Sequence, residues 1–348
     1  MTTSVYVTNN PLHVLFSIAL IKKRIFNDSH LIIWCGALPL ANYFPEDSSI
    51  FDYDILDLSS MNLNYFRPLQ INYKVFIKKV EAHVEKIDYL VTCFDTSLCF
   101  EAIRHHYSVK WSRVAILEDG IGNYFRSTMP VLKRQIPKSF LNFVCNGYFL
   151  NMTRSNLGGN PKIGFISCLV PELVYKHKKS KAKLVPIKKE FISTLEELRV
   201  KIPKIYLDAE VLISITPIFA QKRMSEDEFI KYIYKILNHQ DVKYKKNIVI
   251  KPHPREDLET LKKIINKEFG SKVAIGDQCP IELYLPALQN MIWTGLPSSG
   301  FLNSFFLYGP LNKFIVFPLF HMPFSLDVLQ ALKKLMGSAL EVHYDNEL

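Results

Sequence analysis

The chain has 348 residues, 48% of them hydrophobic and 22% charged, and carries a formal net charge of +10. This balance excludes a disordered or low-complexity protein, and the length suggests two domains with ample core. No run of about 18 uncharged apolar residues occurs, and Met1–Asn10 lacks a basic segment followed by an apolar one, so a cytoplasmic protein is expected.

In chain order, a strand over Ser4–Thr8 leads into Asn9-Asn10-Pro11, with Asn10 placed to cap a helix over Pro11–Lys23 that has proline at its first position. A strand at His30–Cys35, a helix at Lys74–Lys86, a strand at Tyr89–Cys93, a helix at Ser97–His105 and a strand at Val114–Leu117 follow. Lys176-His177-Lys178-Lys179-Ser180-Lys181-Ala182-Lys183, continued by Lys188-Lys189, then reads as a solvated linker. The alternatives for that run are adhesion to an anionic inner membrane leaflet and guidance of a polyanionic acceptor. The alternation restarts with a strand at Val211–Ile215, a helix at Glu226–Leu237, a strand at Ile248–Lys251 and a helix at Leu258–Glu268. It continues through a strand at Val273–Ile275, a helix at Ile281–Leu288, a strand at Met291–Thr294, a helix at Ser299–Tyr308 and a strand at Phe314–Phe317. Strands alternating with helices imply parallel sheets. The expected fold is therefore α/β, with two Rossmann-like doubly wound domains, 1–183 and 184–348, facing across a cleft.

Three islands fall at the ends of expected strands, where open α/β sheets bind ligands. Glu118-Asp119-Gly120 offers a carboxylate followed by a glycine that lets backbone approach a substrate. Glu118 is the candidate general base, and Asp119 would orient it or raise its pKa; a plain Asp-Gly turn is the ordinary alternative. In Lys251-Pro252-His253-Pro254-Arg255 the two prolines fix the backbone around His253, which would hold or protonate a departing phosphate. Ser298-Ser299 opens an apolar helix, and a helix start presents free N–H groups to a phosphate, unless the serine simply caps it. Glu282 either complements a helix dipole or accepts from ribose hydroxyls. Asn9, Asn10, Gly120, Thr216 and Lys251 are candidates for further donor or acceptor contacts, Asn10 being equally explained by capping.

The six cysteines, at 35, 93, 99, 145, 168 and 279, show no CxxC pair, so neither a zinc site nor a disulfide framework is expected. Asp52-Tyr53-Asp54 resembles a metal-binding DxD string but is better explained as a turn or exposed strand. Gly120-Ile121-Gly122 begins a dinucleotide fingerprint that Phe125 breaks. The basic charge favours anionic partners, but no nucleic-acid motif accompanies it. A carboxyl-terminal group including Phe314–His321, Phe324, Leu332 and Leu335 is read as core, with peripheral contact to the inner face of the cell membrane as the alternative.

The acidic pair, the HP string and the serine pair, in that order, resemble the motifs of bacterial sialyltransferases of glycosyltransferase families 52, 38 and 80. The resemblance implies a GT-B fold with an amino-terminal acceptor domain carrying the base and a carboxyl-terminal domain binding a CMP-sugar. It implies inverting, metal-independent transfer of sialic acid from CMP-sialic acid, the donor substrate, to an oligosaccharide acceptor of lipooligosaccharide or capsule, with no cofactor. On the same resemblance Glu118 is the base, His253 assists CMP departure beside Pro254, Ser298 and Ser299 bind the phosphate and Glu282 the ribose. Rival readings are related transferases using CMP-Kdo, another CMP-nonulosonate or CDP-glycerol, and a non-catalytic subunit of capsule assembly.

Overall fold

The computed structural model describes residues 2–26, 28–36, 38–44, 48–61, 73–93, 97–118, 139, 160–174, 182–198, 201–216, 218–296, 298–318 and 323–343. The chain divides into two compact units, Met1–Arg199 and Val200–Leu348.

The first unit is built on seven parallel strands: β1 (Thr2–Thr8), β2 (His30–Trp34), β3 (Ile55–Asp57), β4 (Lys86–Thr92), β5 (Val114–Ile116), β6 (Phe165–Cys168) and β7 (Lys183–Pro186), in the order β3-β2-β1-β4-β5-β6-β7. Val5, Tyr6 and Val7 of β1 are all buried, so both faces of the central strand are covered, as parallel sheets require. On one side Val5, Val7, Leu31, Ile33, Leu90 and Ile116 meet Phe76 of helix α2 (Tyr73–Glu81) and Phe100 and Ile103 of α3 (Leu98–His106). Helix α1 (Pro11–Lys22) is apolar on every face and buried from Pro11 to Leu20. A helix of that composition must lie between layers: its Phe16 stacks on Phe191 of α4 (Lys188–Glu197), ring centroids 4.4 Å apart.

That packing moves the domain boundary from the expected 183/184 to 199/200. β7 pairs in parallel with β6, and α4 returns onto α1, where Lys22 meets Glu197 at 2.5 Å and Lys23 meets Glu190 at 2.6 Å. Partly exposed ion pairs of this kind contribute little, so the Phe16–Phe191 contact is the stronger anchor. The end of the lysine run is therefore an edge strand rather than a linker, and the exposed Lys183 is a charge of the sort that blunts sheet edges. Residues 176–181 of that run lie outside the described set. The helix expected over Lys74–Lys86 ends at Glu81, because Lys86 already begins β4.

The second unit holds six parallel strands: β8 (Val211–Ser214), β9 (Ile248–Lys251), β10 (Val273–Ile275), β11 (Ile292–Gly295), β12 (Lys313–Val316) and β13 (Leu340–Val342), ordered β10-β9-β8-β11-β12-β13. Its helices are α5 (Lys204–Leu207), α6 (Glu226–Leu237), α7 (Leu258–Glu268), α8 (Ser299–Tyr308) and α9 (Pro323–Met336). Ser225 and Glu228 form a reciprocal capping box that starts α6, and Asp257 caps α7. Phe229, Ile233 and Ile236 of α6 and Leu261, Ile264 and Ile265 of α7 bury against Ile213, Ile250 and Ile315. Ile281–Leu288, expected as a helix, is a single 3-10 turn, Ile281–Tyr284. Phe314–Phe317 and Leu332 are buried core, which removes them from any membrane-docking patch.

Both sheets start in the order 3-2-1-4-5-6 of the dinucleotide-binding fold, and each reverses direction beside its first strand. The switch points lie between β1 and β4 in the first unit and between β8 and β11 in the second.

Candidate active site

In the first unit the chain leaves β1 at Asn9, half-buried, and Asn10, whose Oδ1 accepts the Leu12 N–H at 3.0 Å. Asn10 is thus a working N-cap. Glu118 follows β5, one strand beyond the switch point, and is fully buried. Its N–H donates to Ser167 Oγ (2.9 Å), and its Oε2 accepts the N–H of Leu169 (2.8 Å), so the end of β6 fixes both ends of the residue. Asp119 and Gly120 lie outside the described residues.

In the second unit the strand ends around the switch point are tied to one another. Gly295 closes β11 with φ +119°, and a Cβ there would lie 2.2 Å from the Ser214 carbonyl oxygen at the end of β8. Only glycine permits that approach. The Trp293 indole N–H donates to Ser214 Oγ across the same pair of strands. Beyond Gly295, Ser298 has extended backbone (φ −143°, ψ 160°) and makes no side-chain bond to cap α8, contrary to the simple capping role. The first-turn N–H groups and positive dipole end of this ten-residue helix are therefore not engaged by the Ser298 hydroxyl. Ser299 is the first helical residue, and Pro297 lies outside the described set. Thr216, just past β8, keeps a buried Oγ1 without a hydrogen-bond partner.

His253 sits two residues beyond β9 and, like Pro254, is half-buried. Its Nδ1 accepts the Arg255 backbone N–H at 3.0 Å, which leaves the proton of the neutral ring on Nε2. Burial pushes its pKa down to about 3, helped by the charges of Arg255, Lys251 and Arg223. The ring is therefore a neutral hydrogen-bond donor in a positive surrounding, better suited to holding a phosphate than to protonating one.

Lys251 is spent differently from its expected role. Its Nζ is buried and donates to the carbonyls of Asp277 (2.6 Å) and Cys279 (2.5 Å), stapling the loop after β10 to the end of β9. Burial lowers its pKa against the opposing pull of Asp277. Glu282 is buried too and accepts from Asn303 Nδ2 of α8 at 3.1 Å. Burial raises its pKa, opposed by hydrogen bonds from its own backbone and Asn303 and by the charge of Lys251.

Glu256 had no signal in the sequence. It is buried, and its carboxylate collects the backbone N–H groups of Ile218 (2.5 Å), Phe219 (3.1 Å), Ala220 (3.0 Å) and Asp257 (2.8 Å). The Gln278 amide donates to its carbonyl at 2.7 Å. One side chain thus fixes the loop after β8 relative to the His253 turn, and no periodicity marks an acid that serves the backbone of a segment 36 to 38 residues away.

The model of the family described as alpha-2,8-polysialyltransferase (POLYST) matches residues 52–304, which is more than half of the chain. The chain belongs to the alpha-2,8-polysialyltransferase family. Membership makes this protein a sialyltransferase, a glycosyltransferase that uses CMP-sialic acid and acts on a glycan. The matched span contains Glu118, Thr216, His253, Glu282 and Ser298 but not Asn9 or Asn10. No curated protein matches the sequence. Among solved structures, this polysialyltransferase-family chain is similar to a Photobacterium 2,6-sialyltransferase in ternary complex with CMP and lactose. The two share 16% identity over 98% of this chain and 78% of the other, with a TM-score of 0.59. It is also similar to the Staphylococcus aureus MnaA structure with UDP (10% identity, 97% and 88% covered, TM-score 0.51). A UDP-N-acetylglucosamine 2-epimerase from Rickettsia bellii gives 14% identity, 97% and 88% coverage and a TM-score of 0.50. These likenesses show the fold, two parallel-sheet α/β domains of GT-B type.

Among the described residues no cysteine is in a disulfide. Asp52 and Asp54 are exposed at the end of a 3-10 turn and the approach to β3. Among the described residues no helix is long and apolar enough to cross a membrane.

Proposed function

We propose that this protein transfers sialic acid from CMP-sialic acid to a glycan hydroxyl with inversion and without a metal, using Glu118 as base and His253 as phosphate donor group. The observation that carries this reading is the neutral His253, with its Nε2 proton free of the Nδ1 bond and three cationic side chains acting on it, one strand from a Rossmann switch point.

As the bond from the anomeric carbon to the CMP phosphate breaks, negative charge grows on the phosphate oxygens and positive charge on the sugar. The His253 Nε2–H, the Ser298 hydroxyl and the start of α8, where Ser299 is the first residue, would stabilise the leaving group. The acceptor oxygen bonds to the anomeric carbon, and its proton passes to the Glu118 carboxylate. The bond from Leu169 N–H to Oε2 would orient that carboxylate. With preorganised donors and cationic charge at the phosphate, leaving-group stabilisation does not call for a divalent ion.

Glu282 would take the ribose, and Pro254 would support the phosphate end. Thr216, with its buried hydroxyl, is a candidate donor contact, as are Asn9 and, outside the described residues, Asp119 and Gly120. Asn10 is occupied as a cap and Lys251 as a staple, so both act through backbone placement. Glu256 would hold the loop after β8 against the His253 turn. The second unit is then the donor domain and the first carries the base. An acceptor of lipooligosaccharide or capsule, reached from the inner face of the cell membrane, fits the basic charge of the chain.

The test is CMP release from CMP-sialic acid with sialylated oligosaccharide or lactose as acceptor and EDTA present. Acceptor-dependent release that persists in EDTA and is lost in Glu118→Gln supports the reading. Release abolished by EDTA and restored by a divalent ion, or unchanged in Glu118→Gln, overturns it.

A further inference from the structure

The edge of the second sheet carries a side-chain cluster that the transfer reaction does not use. Strand alternation places Glu341, on β13, and His343, just past its end, on the same face. The His343 N–H donates to the Val316 carbonyl (3.0 Å), so the ladder extends beyond the strand and holds that residue in register. Onto the same face comes His239, which follows the end of α6. The two imidazole rings meet edge to face with centroids 4.3 Å apart, and Phe317 packs against both, at 5.6 Å from His239 and 5.3 Å from His343.

The donor atoms converge. His239 Nε2 lies 2.9 Å from His343 Nε2, Glu341 Oε1 lies 2.5 Å from His343 Nε2, and Glu341 Oε1 lies 3.7 Å from His239 Nε2. A proton on either Nε2 leaves the other two donor atoms facing each other with lone pairs, and protons on both bring two N–H groups together. A cation that accepts lone pairs from all three atoms at once resolves the conflict. The triangle is small enough for one ion to lie about 2.1 Å from every corner, the usual zinc–nitrogen and zinc–oxygen distance.

We propose that His239, Glu341 and His343 form a Zn²⁺ site that clamps the edge strand β13 to the end of α6. Two imidazoles and a carboxylate are a donor set that suits zinc, with water in the fourth position. The Asp241 carboxylate lies 3.6 Å from His239 Nδ1 and would take the Nδ1 proton of the metal-bound ring, in place of the long 3.4 Å contact that Nδ1 now receives from the Asp241 N–H. Lys313 engages Asp241 Oδ2 (2.7 Å) and Glu341 Oε2 (3.2 Å), which leaves Glu341 Oε1 for the ion. Two carboxylates against one ammonium give the cluster the net negative charge that a dication needs. The site is structural, separate in role from sialyl transfer.

The experiment uses the full chain, tag-free and stripped with chelator, titrated with zinc sulfate by calorimetry, with bound zinc counted after dialysis. The expected result is one zinc per chain and a rise in Tm of about 3 °C or more at saturation. His343→Ala and Glu341→Gln should each weaken zinc binding at least about tenfold, while His106→Ala, which removes an exposed histidine paired with Glu81, should leave it unchanged. The Tm of each variant in EDTA identifies any that fails to fold, and the other then decides. Absence of saturable binding, or equal affinity in wild type and the folded cluster variants, overturns the proposal. Transfer activity in EDTA is read separately, so loss of the zinc site does not touch the reading of Glu118 and His253.

Discussion

The two sheets begin in the same strand order, yet different side chains stand at their carboxyl ends. In the first unit Glu118 is fully buried, its N–H held by the Ser167 hydroxyl and its carboxylate by the Leu169 N–H of the neighbouring strand end. In the second, a half-buried histidine is surrounded by cationic charge, and the loops that carry it are fixed by two buried charged side chains, Lys251 and Glu256. On the proposed function, the same topology would supply a base from one unit and an anion site from the other. What differs is which residue type stands one strand away from the switch point.

The comparison breaks most severely if Glu118 is replaced. Glu118→Gln should lower kcat by about 10³-fold, within the range of general-base catalysis, while CMP affinity measured by calorimetry stays near wild type. A parallel loss of CMP affinity would mean that the acid is structural. His253→Ala should cost about 10²-fold in kcat/KM and weaken CMP binding, because a donor to the developing phosphate charge is lost; unaltered CMP affinity would place the phosphate elsewhere.

Glu256→Ala sharpens the contrast from the stability side. It leaves four backbone N–H groups without their acceptor, so unfolding free energy should fall by about 3 kcal/mol in urea melts, and donor KM should rise about tenfold. Ser298→Ala should raise the Kd for CMP about five-fold with almost no change in Tm, since no capping bond is removed. A drop of Tm as large as a lost cap would assign the serine to the helix instead.

The smallest effect concerns pH. The folded-state pKa of His253 is about 3 against an ordinary 6.5, so between these values the unfolded chain binds a proton that the folded one refuses. Stability present above pH 6.5 is therefore lost as the pH falls toward 3. His105, held down to about 4 by burial and by Arg104, adds a contribution of the same sign. Tm measured from pH 7.5 to 5 should decline in wild type and less so in His253→Asn; parallel curves would show that the histidine titrates normally.

Much of this was visible in the residues. Helices at Glu226–Leu237, Leu258–Glu268 and Ser299–Tyr308 and strands at Ile248–Lys251 and Val273–Ile275 follow directly from apolar periodicity bounded by Ser225, Asp257 and Ser298. Strands β3, β6, β7 and β13 are not among the elements expected from the sequence. β7 was hidden by the lysines before it and by Pro186, which is tolerated because the strand lies at the sheet edge. The positions of Glu118, His253 and Ser298 at strand ends could be read from neighbouring apolar runs. The occupation of Lys251 by two carbonyls could not, since those carbonyls arrive from a loop 26 and 28 residues further on.

The sequence by itself determined the alternating α/β class, the strand-end placement of the acid, histidine and serine, and the capping of individual helices, because these depend on side-chain spacing within a few residues. Only the tertiary structure decided that α4 belongs with α1, that His253 is neutral with its proton on Nε2, that Glu256 gathers a distant loop, and that His239 meets Glu341 and His343. Each of those outcomes depends on burial or on hydrogen bonds between segments far apart in the chain, and local spacing carries no information about either.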